Sequence, residues 1–172
     1  MRRVGLVGCA VIAVGTLAAA LASCVASPVP PAYTEARVFA SCWVPIVGDV
    51  PVSDAHGTRS AFAEIGRMSG FRFADASSAD AARQGVTVRY GGPSAVPRDV
   101  TTPTIRAGRI TWTVTFYGVP SRTLVLHALG HVMGLAHTEL RGNIMANPVG
   151  TAATWHPTQR RQVRHLGEMG GC

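Results

Sequence analysis

The chain alternates between apolar and polar positions in a way that divides it into segments of different period. Residues 4–22 are an uncharged run of small and apolar side chains, and residues 25–36 hold three prolines and little to bury. Past that point residues 38–44 (V-F-A-S-C-W-V) predict a first strand ended by Pro45. Ser53 or Asp54 predicts the cap of a helix running to about Met68, with Phe62, Ile65 and Met68 three apart on its apolar side. Ser69-Gly70-Phe71-Arg72-Phe73 turns the chain into a second strand, and residues 85–90 (G-V-T-V-R-Y) alternate as a third. The small, polar residues 74–84 between them predict a loop. Residues 91–106 carry Pro93, Pro97 and Pro103 and predict irregular chain. Residues 110–116 place Ile, Trp, Val or Phe at every second position, a half-buried strand. Ser121 then predicts the cap of an apolar helix from about Thr123 to Met133. A last helix is expected to begin near Trp155-His156-Pro157-Thr158-Gln159, with Val163 and Leu166 on its core side and Arg160, Arg161, Arg164 and His165 as a solvated face. No internal repeat is present.

The N-terminal run changes how the totals are read. Met1-Arg2-Arg3 is a basic start, the apolar run follows, and Leu21-Ala22-Ser23-Cys24 resembles a bacterial lipobox. That resemblance implies cleavage before Cys24 and lipid on its sulfur. Ala20-Leu21-Ala22 also offers an ordinary secretory cleavage site, and the run is nearly long enough for an uncleaved anchor. All three readings put the folded part outside the cytoplasm, attached to the outer face of the cell membrane or secreted. The expected organisation is a signal at 1–23, a proline-rich tether at 24–36 and one domain at 37–172 of 172 residues, enough for a real core. With Cys9 in the signal and Cys24 in the lipobox, Cys42 and Cys172 are the two left for the domain. An even pair in an exported protein reads as one disulfide, the alternative being two separate thiols.

The chain carries sixteen arginines and no lysine, for a net charge of +7. Without Arg2 and Arg3, fourteen arginines against nine acids leave +5. Export argues against nucleic acid as the partner; anionic headgroups or cell-wall polymers fit the charge better. No residue pattern specifies an oligomeric state.

The densest chemistry lies in Leu126-His127-Ala128-Leu129-Gly130-His131-Val132-Met133-Gly134-Leu135-Ala136-His137. His127 and His131, four apart, share one face of a helix. Gly134 can take positive φ, end the helix and let His137 return toward the same point. Three imidazoles converging there make a three-nitrogen Zn2+ site with an open fourth position.

The segment resembles the long zinc signature of the metzincin metallopeptidases, H-E-x-x-H-x-x-G-x-x-H, with His127, His131, Gly134 and His137 at the signature positions. Gly142-Asn143-Ile144-Met145-Ala146-Asn147-Pro148 is similar to the Met-turn, and Met145 follows His137 by eight residues, a matrixin-like interval. The resemblance implies an α+β, zincin-type domain: a twisted mixed sheet, a long first helix, a zinc-binding active-site helix, a Met-turn and a C-terminal helix. By the same analogy, residues 85–90 are the third strand. Residues 110–116 then lie near the sheet edge beside the cleft, where an extended peptide would pair, or are simply a half-buried strand. The signature's general base, a glutamate, is here Ala128, and a methyl group cannot move a proton. The nearby carboxylate Glu139 is expected to point away from the pocket. Glu64 and Asp99 have no place that the sequence assigns. The expected function is therefore an exported, matrixin-like zinc-binding domain, a pseudo-peptidase that binds peptide or cell-wall material. The alternatives are an active zinc endopeptidase with another base, and a structural lipoprotein without zinc. Metal content and restoration of a glutamate at 128 separate the three.

Overall fold

In a computed structural model of the chain, residues 39, 41–48, 57–77, 79, 83–107, 109–150 and 153–172 are described. The signal, Cys24 and the tether lie outside them. The elements are β1 (Trp43–Gly48), α1 (Thr58–Ser69), β2 (Arg72–Asp75), β3 (Gly85–Tyr90), β4 (Arg98–Arg106), β5 (Arg109–Tyr117), α2 (Arg122–Val132) and α3 (Pro157–Met169). The fold is α+β, and its one described sheet is mixed, in the order β2-β1-β3-β5-β4. β2, β1, β3 and β5 run parallel to their neighbours, and β4 pairs antiparallel with β5.

The core forms where one face of this sheet meets the helices. Ile110, Trp112, Val114 and Phe116 of β5 are buried, with Val86 and Val88 of β3 and Val44 and Ile46 of β1. Alternate residues on a strand share a face, so the period-two pattern of β5 translates directly into one wall of the core. Against this wall pack Ala61, Phe62 and Ile65 of α1 and nearly the whole circumference of α2: Leu124, Val125, Leu126, Ala128, Leu129 and Val132. A helix apolar all round belongs in the interior, and α2 contacts both α1 and β4. Val163 anchors α3, whose start is fixed by a capping box: the His156 ring accepts from Thr158 N and Gln159 reaches back to His156 N. Arg160, Arg161, Arg164 and His165 are exposed, as the pattern predicts.

Several elements depart from the sequence expectations. β1 runs through Pro45 and ends at Gly48. Its pairing with β3 begins only at Ile46–Val86, so the N–H that proline lacks falls before that ladder starts. The first described residue of α1 is Thr58. Its N-cap is Gly57, at φ 67°, where a side-chain cap such as Ser or Asp would be strained; Ser53 and Asp54 lie outside the described residues. The 74–84 loop is not one: Ala74 and Asp75 belong to β2, and Ala79 and Arg83 are helical.

The largest correction concerns residues 91–106. Residues 98–106 form β4, nine residues in register with β5. Proline is tolerated there because β4 is an edge strand, where an N–H on the outer side has no ladder partner to lose. β5 thus lies next to the edge as a half-buried interior strand, and the free edge on that side of the sheet belongs to β4.

The disulfide Cys42–Cys172 is formed, with Cα atoms 5.3 Å apart. It ties the entrance of β1 to the residue that ends the chain three positions after α3.

Candidate metal centre

The site is assembled by the end of α2 and two returns of the chain. Ser121 caps α2, its hydroxyl accepting from Leu124 N at 3.2 Å. After eleven helical residues the helix stops at its C-cap, Met133. Gly134 takes φ 73° and donates to His131 O, while Leu135 N donates to Gly130 O. These two bonds are a Schellman ending, which needs a left-handed residue at this position. The turn sends His137 back over the helix, and the chain is then clamped: Thr138 N donates to Met145 O at 2.9 Å and pairs with Ala146 as an isolated bridge.

The three ring nitrogens meet. Nε2 of His127 lies 3.1 Å from that of His131 and 3.2 Å from that of His137, and the His131–His137 separation is 3.1 Å. His127 is buried, His131 half-buried and His137 exposed, so the cluster opens to solvent on the His137 side. His127 Nδ1 donates to Ile144 O at 2.7 Å and His131 Nδ1 donates to Leu135 O at 2.8 Å. A carbonyl only accepts, so both Nδ1 atoms carry hydrogen and both Nε2 atoms present lone pairs. Two acceptors 3.1 Å apart cannot bond to each other; a cation bound among them would satisfy both. A tetrahedral ion bound at about 2.0–2.1 Å holds nitrogen ligands about 3.3–3.4 Å apart, close to the spacing seen. The residues present therefore fit a divalent metal.

Burial, the largest influence, lowers the pKa of His131, with further lowering by His127 and His137 against the raising effect of its bond to Leu135 O. Burial also lowers that of His137, followed by repulsion from His127. Both shifts favour the neutral imidazole, the form that binds metal.

The Met-turn segment supports the cluster from beneath. Met145 is fully buried, and its sulfur lies against Gly130, between the two helical histidines in sequence. Asn143 Oδ1 accepts from Met145 N at 2.7 Å and holds the segment in shape. Ile144 O bonds the first histidine and Met145 O the residue after the third.

The structure thus brings together every residue the sequence proposed for the metal: His127, His131 and His137, with Gly134 at the turn and Met145 below. Ala128 is fully buried beside them. Glu64 is committed elsewhere: it accepts from Trp155 Nε1 at 2.9 Å and pairs with Arg122, bridging α1, α2 and the start of α3. Glu139 is exposed. Asp99, which the sequence left unplaced, stands on β4 opposite Phe116 and accepts from Thr101 Oγ1 at 3.0 Å; its charge is a minor raising influence on the pKa of His131 and His137, both lowered chiefly by burial. The signal that would have placed it is the alternation of β4, hidden by the prolines around it. Compared with protein-family models and with curated proteins, the chain matches none.

Proposed function

We propose that the chain is an exported, matrixin-like zinc-binding domain that holds peptide or cell-wall material at its metal and cleaves it poorly. The observation that carries the zinc reading is the convergence of three Nε2 atoms within 3.2 Å, two of them left as acceptors by the carbonyls on their Nδ1 atoms. Zinc bound there supplies Lewis acidity, lowering the pKa of a bound water to about 7.

The chain's own residues set how far that chemistry can go. His127, His131 and His137 hold the ion. Ala128 offers no group to take a proton, and general acid–base assistance of that kind is worth roughly 10²–10⁴-fold. Arg122 and Trp155 occupy Glu64. β4, an edge strand of the described sheet and a neighbour of α2, is suited to pairing with an extended ligand. The disulfide supports an oxidising compartment. Cys24 would attach the domain to the membrane as a lipoprotein; ordinary signal cleavage would release it.

The test is metal analysis of the full chain purified without chelators, paired with a general peptide-cleavage assay. About one zinc per chain and little cleavage are expected, and His131→Ala should lose the metal. A chain that carries no zinc and whose stability ignores added zinc would overturn this reading.

A further inference from the structure

We propose that the outer face of the sheet, turned away from the helices, is a docking surface for an anionic polysaccharide, held by Arg89, Arg98, Arg106 and Arg109 across a field of threonine hydroxyls. This surface is separate from the histidine cluster and needs no metal.

The strand register separates the two faces. Ile110, Trp112, Val114 and Phe116 of β5, with Val86 and Val88 of β3, are buried in the core that the three helices share. Alternate residues of a strand point the other way. On β5 these are Arg109, three threonines and Tyr117. On β4, Arg106 stands opposite Arg109, Thr102 opposite Thr113 and Arg98 opposite Tyr117. On β3, Thr87 lies beside Thr113 and Arg89 beside Thr115. The four arginines are exposed, and none forms an ion pair with a described residue. No acidic residue takes an outward position on any of the five strands. Asp75 and Asp99 pair with Ile46 and Phe116, both of them buried on the helix side. The outer face is therefore cationic throughout, and Arg72, opposite Trp43, extends it to β2.

Two details point to a bound anion. Arg106 and Arg109 are directly opposed where β4 meets β5, an arrangement that repels unless a counter-charge lies across it. At the other end of β4 the Arg98 guanidinium lies over the Tyr117 ring, 4.4 Å from its centroid. Stacking holds the cation in place and leaves its N–H edge for a carboxylate. The nine residues of β4 put these two ends about 27 Å apart. Threonines fill the interval. Thr111 Oγ1 donates to Thr104 O, while the hydroxyls of Thr87, Thr102, Thr113 and Thr115 bond to no described residue. Guanidinium forks bind carboxylates, and hydroxyls both donate and accept. A sugar chain that carries carboxylates offers partners of both kinds along an extended line. A bilayer would call for large apolar side chains grouped beside the cations. The exposed ones on this face, Trp43 and Val100, stand three strands apart. Single-stranded nucleic acid would call for aromatic platforms, and the centre of this face is hydroxyl.

The experiment measures binding of polygalacturonate to the full chain by titration calorimetry at low and high salt, with and without chelator. Neutral dextran, polyglutamate and phosphatidylglycerol vesicles are the comparisons, and circular dichroism checks each fold. The unmodified chain should bind polygalacturonate, less tightly as salt rises, should ignore dextran, and should bind equally in chelator. The triple variant Arg89→Gln, Arg106→Gln, Arg109→Gln should weaken binding about tenfold. The triple variant Arg160→Gln, Arg161→Gln, Arg164→Gln removes the same charge from α3 and should leave it nearly unchanged. If the first triple does not fold, Arg89→Gln and Arg109→Gln serve singly, each with a smaller loss. Thr102→Val with Thr113→Val should weaken binding of polygalacturonate severalfold and leave that of polyglutamate as it was. Equal losses from the two triples overturn the proposal, since the effect is then one of net charge. A threonine variant that loses nothing, or loses both polymers alike, overturns the polysaccharide as occupant. Tighter binding to the vesicles than to polygalacturonate assigns the face to a membrane and overturns it too. Binding abolished by chelator in a folded chain places the polymer at the metal instead, and leaves the metal reading standing.

Discussion

Gly130 lies against the sulfur of Met145, so closely that a Cβ at position 130 would overlap Sδ, with the Trp155 ring 3.4 Å away. The contact joins α2 to the segment around Met145 at the residue just before the second histidine. On an exposed helix, Gly→Ala stabilises by about 1 kcal/mol. Here Met145 is fully buried, and its sulfur must shift within the core to admit a methyl group. Gly130→Ala is therefore expected to lower stability, by about 1–3 kcal/mol as overpacking does, and to weaken zinc binding with it. Thermal unfolding with and without zinc checks this; a rise in melting temperature would show that the Met-turn yields.

Ala128→Glu should restore a proton acceptor beside His127 without removing a ligand. Because Ala128 has no exposed surface, the longer side chain must open its own space, at about 1–3 kcal/mol. Zinc should still bind, and any peptide cleavage should rise by about 10²–10⁴-fold. A folded, zinc-loaded variant that stays inert would mean that the cleft does not present a peptide to the metal.

The Cys42–Cys172 bridge spans 130 residues of sequence. In the chain-entropy model closing a loop of that length stabilises by about 4–5 kcal/mol. Cys172→Ser should lower the denaturant midpoint correspondingly, and peptide mapping without reductant should recover the linked pair. Two freely alkylated thiols in the exported protein would contradict the bridge.

Acid should destabilise the metal-free form through its histidines. His131 and His137 have pKa values lowered, chiefly by burial, from the ordinary 6.5. Between the folded and unfolded values the unfolded chain holds more protons, so stability is full above about 6.5 and falls as pH drops through that value toward the lowered one. Melting temperatures in chelator from pH 7.5 to 5 check the direction. His131→Ala should flatten part of the slope, and an unchanged slope would assign it to other groups.

The sequence by itself determined the parts whose signal is local. The period-two run of β5, the Ser121 cap, the length of α2 and the proline start of α3 each depend on residues within a few positions of one another. The histidine spacing is of the same kind: four residues apart is one helical turn wherever the helix sits, and Gly134 marks a left-handed ending whatever lies beyond it. Pairing between distant segments had no such signal. Pro45 and Pro103 read locally as breaks; whether a missing N–H matters depends on which strand stands beside it, and that is settled by the sheet order alone. For the same reason residues 98–106 became an edge strand, β5 an interior one, and Asp99 the partner of Phe116. Only the tertiary structure put the carbonyls of Leu135 and Ile144 on the two helical imidazoles and so fixed which nitrogens face one another in the cluster, because a backbone carbonyl is the same group at every residue and only the fold decides where it points.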